Sequence, residues 1–103
     1  MSKVYLASAK MKELRADSSL PAKFSRMLDG LQFKEMFDGK TVAVKMHLGG
    51  HLGYTTIPPL FVRMLVKRIK DSGGNPFITD GLNAIASAKD RGYTEESLGA
   101  PLV

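Results

Sequence analysis

The chain has 103 residues, of which 44% are apolar and 24% charged, and this composition predicts one folded domain and excludes a disordered tail. It contains no cysteine, which excludes disulfides, thiolate zinc sites, cysteine nucleophiles and cluster ligation by this chain. The net charge of +5 favours an anionic small molecule as partner, whereas the scattered basic residues, without interleaved aromatic side chains, argue against nucleic acid.

The first half of the chain predicts two strands and a helix. Residues 3–8 (KVYLAS) are rich in β-forming residues and alternate in polarity, as a first strand does. A helix is predicted to begin after an N-cap at residues 17–19 and to end at Gly30. A short helical turn near residues 34–37 then precedes the β-branched run at residues 41–46, which predicts a buried strand.

The second half begins with the longest predicted helix, in which Pro59 fits the first turn and Gly73 or Gly74 the end. Residues 75–80 predict a third strand, and a weakly amphipathic helix ends at Gly92. A further turn follows that Thr94 can cap. The apolar stripe expected on the longest helix consists of Leu60, Phe61, Met64, Leu65 and Ile69, widened by Val62 and Val66.

The alternation of strands and helices predicts an open α/β fold with a mainly parallel sheet of about four strands and flanking helices. We expect a single α/β domain over residues 1–103. The chain stops on the apolar residues APLV, which predicts the N-terminal part of a longer protein and a fragment of a larger α/β domain. No apolar run approaches the roughly 20 residues that cross a bilayer, so we expect a cytoplasmic protein that does not bind membranes.

A ligand site is predicted after the second and third strands, because ligands of open α/β sheets bind beyond the carboxyl ends of the strands. Lys45 and His47 are the catalytic candidates: Lys45 is expected to neutralise an anion, and His47 to orient it or transfer a proton. Equally, Lys45 can reach solvent along its aliphatic stem, and Asp80 can cap the next helix. The predicted ligand-binding set is Lys45, His47, Gly49, Gly50, Gly53, Thr55, Thr56, Asp80 and Asn83.

A metal site is the alternative use of the same region. His47, His51 and Asp80 together would supply three ligands and leave an open coordination position. The glycines around the two histidines disfavour a helical His pair, and such histidines commonly bond to backbone or water.

Three segments of the chain resemble a known family. They are VAVKMHLGG, then TTIPPLFVRMLVKRIKDSGGNPFITDG, and then RGYTEESLGAPLV. They are similar to the iron–sulfur centre proteins of domain of unknown function 362, over nearly the whole chain. The positions that match the family pattern are Lys45, His47, Gly49, Thr55, Thr56, Pro59, Pro76, Thr79, Asp80 and Gly99 to Pro101.

The resemblance implies an oxidoreductase-associated protein whose iron–sulfur cluster lies elsewhere in the full-length protein. Many relatives continue past Gly-Ala-Pro and carry a cysteine cluster downstream, whereas this chain has no cysteine to ligate one. Three hypotheses result: binding of an anionic small molecule or cofactor at the glycine and threonine loop, a non-catalytic interaction module completed by a C-terminal part or by a homo-oligomer, and a His/Asp metal-dependent enzyme.

Overall fold

The computed structural model describes residues 2–49 and 55–103 and shows a mixed α/β chain. It divides into an N-terminal unit, Met1–Gln32, and a C-terminal unit, Phe33–Val103. None of the helices in the described ranges is long and apolar enough to cross a membrane. The helices are α1 (Leu20–Asp29), α2 (Phe33–Phe37), α3 (Pro59–Asp71), α4 (Leu82–Ala88) and α5 (Glu95–Leu98), and the strands are β1 (Thr41–Lys45) and β2 (Asn75–Thr79).

The N-terminal unit contains α1, which the sequence located correctly. Ser19 is its N-cap, and the hydroxyl of Ser19 accepts a hydrogen bond from the Ala22 amide at 3.3 Å. The predicted first strand at residues 3–8 is wrong, because this segment pairs with no strand in the described residues and its Val4 and Leu6 are 90% and 93% exposed. Local β-propensity does not form a strand without a neighbouring strand to complete its hydrogen bonds.

The sheet of the C-terminal unit has two parallel strands in the part of the chain that the structure describes, not the four that were predicted. The register runs from Thr41 opposite Asn75 to Lys45 opposite Thr79. The predicted last strand is reduced to one parallel bridge between Ile78 and Leu102. A fully formed strand would require more residues in register than this bridge supplies.

Strand β1 alternates between exposed and partly buried residues, which corrects the prediction of a buried strand. Met46 and Leu48 point into the core, whereas Lys45 and His47 are exposed. Successive side chains of a strand point to opposite faces, so a single covering layer produces this alternation. The exposed face therefore carries the two polar side chains of the candidate site.

Helix α3 covers the sheet with part of the predicted apolar stripe. Val62, Val66 and Ile69 are buried, at the spacing of one helical face, and Leu60 is 51% exposed. The core of the C-terminal unit also includes Met46, Leu48, Ile78, Ala88, Tyr93, Leu98 and Ala100. This core fixes the end of β1 relative to the end of β2.

The chain after α4 is turned back to the core by two caps. Gly92 has φ of 87°, in the left-handed region that favours glycine. Thr94 caps α5 as predicted: its hydroxyl accepts from the Ser97 amide at 3.0 Å, and the Ser97 hydroxyl accepts from the Thr94 amide at 3.0 Å. These caps set the position of Tyr93, which is buried between them.

Candidate functional site

The centre of the candidate site is an ion pair at the carboxyl ends of the two strands. Lys45 is the last residue of β1, and Asp80 follows directly after β2. Because the register places Lys45 opposite Thr79, the two side chains are neighbours, and Lys45 Nζ lies 2.8 Å from Asp80 Oδ1. The lysine side chain is 67% exposed and the aspartate side chain 15%. The aspartate is therefore the shielded member of the pair.

The other carboxylate oxygen of Asp80 holds the loop that follows β1. Asp80 Oδ2 accepts a hydrogen bond from the Leu48 amide at 2.9 Å. This amide, followed by the Lys45 ammonium and the Gly81 amide, keeps the pKa of Asp80 well below its usual range. Asp80 is thus a charged, fixed acceptor at neutral pH rather than a proton donor. The alternative prediction, that Asp80 caps the next helix, is not met, because the N-cap residue of α4 is Gly81 and no side-chain hydrogen bond caps the helix.

Gly49 and Arg91 form the second connection of the loop. Gly49 has φ of 94°, and a Cβ atom placed there would lie 2.8 Å from Nε of Arg91. Arg91 Nε donates to the Leu48 carbonyl at 3.0 Å, and Arg91 Nη1 donates to the Ser87 hydroxyl at 3.3 Å. Leu48 is therefore held through its amide by Asp80 and through its carbonyl by Arg91.

Sequence reasoning did not assign roles to Arg91, Ser87 or Tyr93. Arg91 and Tyr93 lie in the RGY segment that the family resemblance quoted, and the adjacent Gly92 is the only local signal that the chain turns there. Their partners are distant in sequence, so no local pattern indicates the contacts.

The two predicted loop threonines, Thr55 and Thr56, take part in two separate contacts. Nε2 of His47 lies 3.2 Å from the hydroxyl oxygen of Thr55, and the His47 side chain is exposed. The Tyr93 hydroxyl donates to the Ile57 carbonyl and is hydrogen-bonded to the Thr56 hydroxyl. Thr55 therefore faces the candidate site beside His47, whereas Thr56 anchors the start of α3 to the core.

A groove of about 800 Å³ lies next to the ion pair. Asp80 belongs both to this groove and to the contact with Lys45, so the groove and the exposed ammonium are adjacent. The lining residues are Gly49, Asp80, Gly81, Leu82, Asn83, Ala84 and Ser87. Three predicted residues, Gly49, Asp80 and Asn83, are brought together here.

The metal hypothesis has a limited structural basis. In residues 2–49 and 55–103, no group of three His, Asp or Glu side chains converges as a metal site requires. Both oxygens of Asp80 already have donors. His51, Gly50 and Gly53 lie outside the described residues. The cysteine-free chain also lacks the thiolates that an iron–sulfur cluster requires.

The described geometry offers one exposed ammonium, an exposed imidazole and a small-molecule-sized groove at the strand ends. The chain was compared with protein families, curated proteins and solved structures. No family model matches it, and neither the curated proteins nor the solved structures contain a significant match.

Proposed function

We propose that the chain binds a small anionic molecule at the carboxyl ends of β1 and β2, with Lys45 as its counter-charge. The observation that carries this proposal is the position of the Lys45 ammonium, which is exposed yet held beside the groove by Asp80. An exposed lysine without a partner samples many rotamers. One that is fixed by a carboxylate loses less conformational entropy when a ligand binds.

The ammonium retains capacity for a ligand. Lysine carries three N–H donors, and Asp80 Oδ1 takes one of them. Within residues 2–49 and 55–103, Lys45 has no second acceptor. A carboxylate or phosphate oxygen can therefore bond to Lys45 without displacing Asp80. The net charge of +5 of the chain also attracts such an anion.

His47 supplies a second polar group on the same exposed face. It lies two residues beyond Lys45 along the extended chain, so the two side chains share one face. Its ring is next to the Thr55 hydroxyl. In the proposed complex His47 orients the ligand or transfers a proton to it.

The size of the groove supports an organic anion or cofactor rather than an inorganic ion alone. Its volume of about 800 Å³ falls within the roughly 300–1,000 Å³ of small-molecule sites. Leu82 and Ala84 give it an apolar wall, and Asn83 and Ser87 add polar groups. We propose a carboxylate or phosphate compound with an uncharged body. The resemblance to the iron–sulfur centre family, which involves Lys45, His47, Gly49 and Asp80, supports an oxidoreductase-associated cofactor as the class.

An NMR titration of the full chain tests this function. Inorganic phosphate, adenine nucleotides and citrate would be added separately while amide resonances are followed. The expected shifts are confined to residues 45–49, 55–56 and 80–83, and they should be weaker for Lys45→Gln than for Lys40→Gln, which removes the same charge elsewhere in the C-terminal unit. Shifts distributed over the whole surface, or equal shifts in both variants, would contradict a site at the strand ends.

A second candidate function is an interaction module, which the uncovered sheet face favours. Ala43 and Lys45 of β1 are exposed, and Phe77 of β2 is only half-buried. Parallel sheets are normally covered on both faces, so this surface suits a second copy of the chain. Sedimentation equilibrium should then show a dimer that Phe77→Lys weakens. A monomer at every concentration would eliminate this candidate.

A further inference from the structure

The N-terminal unit contains a basic groove that the proposed function does not use. It has a volume of about 270 Å³ and lies between the segment around Ser8, a 3-10 turn at Ala16–Ser18, and α1. Ser8 and Ser18 contribute to its wall. The basic residues that line it are Lys10, Lys12, Lys23 and Arg26.

Two of these cations shape the groove through bonds to neutral carbonyls. Lys23 Nζ donates to the carbonyls of Ser8 and Lys10 at 2.7 Å and 2.8 Å. Arg26 Nη1 donates to the Asp17 carbonyl at 2.9 Å. These hydrogen bonds fix the walls of the groove. Because a carbonyl oxygen carries no formal charge, they do not neutralise Lys23 or Arg26.

The basic residues that line the groove outnumber the acidic ones. The one acidic residue at the groove, Asp17, is held by Arg15 through contacts of 3.2 Å to each carboxylate oxygen. In the described ranges, 2–49 and 55–103, no ion pair includes Lys10, Lys12, Lys23 or Arg26. Four basic groups around one small groove favour a compact anion with several acceptor oxygens.

A second groove, with apolar side chains in part of its wall, adjoins the basic one. It has a volume of about 420 Å³ and shares Ser8, Lys23 and Arg26 with it. The rest of its wall is formed by Tyr5, Leu6, Ala7 and Met27. The Tyr5 hydroxyl donates to the Gly30 carbonyl at 3.3 Å, which holds the ring against the end of α1. Leu6 nevertheless remains 93% exposed.

We propose that the N-terminal unit binds a small amphiphilic phosphate ester, with the phosphate in the basic groove and the apolar body in the adjoining groove. The excess of positive charge favours an anion, and the exposed Leu6 beside it favours an apolar partner. Inorganic phosphate meets the first condition alone. A phosphate ester meets both. Lys23 and Arg26 line both grooves, so a ligand bound beside them can extend from one groove into the other.

Calorimetry with the full chain tests the proposal, with hexyl phosphate, inorganic phosphate and hexanol as probes. Hexyl phosphate should bind about tenfold more tightly than inorganic phosphate, because roughly two methylene groups become buried. Hexanol should not bind measurably. The double variant Lys10→Gln/Lys12→Gln should weaken hexyl phosphate at least about tenfold, whereas the matched control Lys34→Gln/Lys40→Gln should change it by less than about twofold.

Two further variants separate the parts of the site. Leu6→Asn should remove the preference for hexyl phosphate over inorganic phosphate and leave inorganic phosphate binding unchanged. Lys45→Gln should leave hexyl phosphate binding to the N-terminal unit unchanged, as followed by the NMR shifts of Ser8 and Lys23. These results are independent of the site at β1 and β2, so either proposal can fail alone.

Other outcomes would overturn the proposal. Equal affinities for hexyl and inorganic phosphate would show that the adjoining groove takes no part. Unchanged affinity in Lys10→Gln/Lys12→Gln would place the anion elsewhere. Association with phosphatidic acid vesicles without binding of hexyl phosphate would replace a soluble ligand by a lipid surface.

Discussion

Lys45 and Asp80 are 35 residues apart in sequence, yet the ammonium of one lies 2.8 Å from the carboxylate of the other. The parallel pairing of β1 with β2 produces this contact, since it brings the carboxyl ends of both strands to the same edge. Asp80 also accepts from the Leu48 amide. One carboxylate therefore orients the exposed lysine and fixes the loop that leads to His47 and Gly49.

Replacing Asp80 by asparagine should destabilise the C-terminal unit at neutral pH. It should also make the unfolding free energy less sensitive to acidic pH. The pKa of Asp80 is lowered in the folded chain, so its stabilisation is fully present above the unfolded value of about 3.8. That stabilisation is lost as the pH falls through the lower folded value. The difference in unfolding free energy between wild type and Asp80→Asn should accordingly be constant near neutral pH and shrink below about pH 4.

Urea denaturation at a series of pH values measures this difference. Asp71→Asn is the matched control, because Asp71 forms an exposed i,i+4 ion pair with Lys67. Equal differences between wild type and Asp80→Asn at about pH 3 and at neutral pH would refute the linkage.

Gly49→Ala should destabilise the chain through both backbone strain and collision. The left-handed φ of Gly49 costs a residue with a Cβ roughly 1–2 kcal/mol, and the new methyl group would displace Arg91 from Leu48. Gly39 also has a positive φ, of 73°, but its Cβ position is open. Gly39→Ala is thus the control for strain alone.

The unfolding free energies of both variants give the comparison. Gly49→Ala should lose about 1 kcal/mol more than Gly39→Ala and should also weaken anion binding at the strand ends. Equal losses would mean that Arg91 does not need the space beside Gly49.

The cap of α5 should contribute measurably to stability. Thr94→Ala removes the hydroxyl that accepts from the Ser97 amide and should cost about 1 kcal/mol. Ser97→Ala removes the reciprocal bond. Because the two side chains form one capping box, the double variant should lose less than the sum of the single losses, as measured in a double-mutant cycle by thermal denaturation. Strict additivity would argue against the box.

Core packing under the sheet should dominate stability. Leu98 is fully buried, so Leu98→Ala should lower the unfolding free energy by roughly 2–5 kcal/mol and clearly lower the melting temperature. Leu82 is 85% exposed, and Leu82→Ala should change stability by less than about 0.5 kcal/mol. Circular dichroism melting curves distinguish the two, and similar melting temperatures would show that Leu98 does not lie in the core.

Local signals in the sequence located several elements well. The proline at the start of α3, the N-cap of α1 and the cap of α5 are determined by neighbouring residues, and the structure confirms them. The strands β1 and β2 were also found, since β-branched and apolar runs bounded by glycine turns are local features. The proximity of Lys45 and Asp80 followed from one general rule about strand ends.

Features that depend on distant partners were not found. The segment at residues 3–8 has strand propensity, but propensity cannot supply the second strand that pairing needs. Arg91 reaches Leu48 across 43 residues, and nothing near either residue indicates this contact. The buried face of α3 was predicted too broadly for a related reason. Apolar residues occur around most of its circumference, and only packing selects Val62, Val66 and Ile69.

The most direct measurement is the affinity of the full chain for the anion that gives the largest strand-end shifts, compared between wild type, Lys45→Gln and Lys40→Gln. Lys45→Gln should bind roughly tenfold more weakly, as expected for the loss of a charge-assisted hydrogen bond, while Lys40→Gln stays within about twofold of wild type. Equal affinity of all three proteins, with their folds intact by circular dichroism, would contradict an anion site at Lys45.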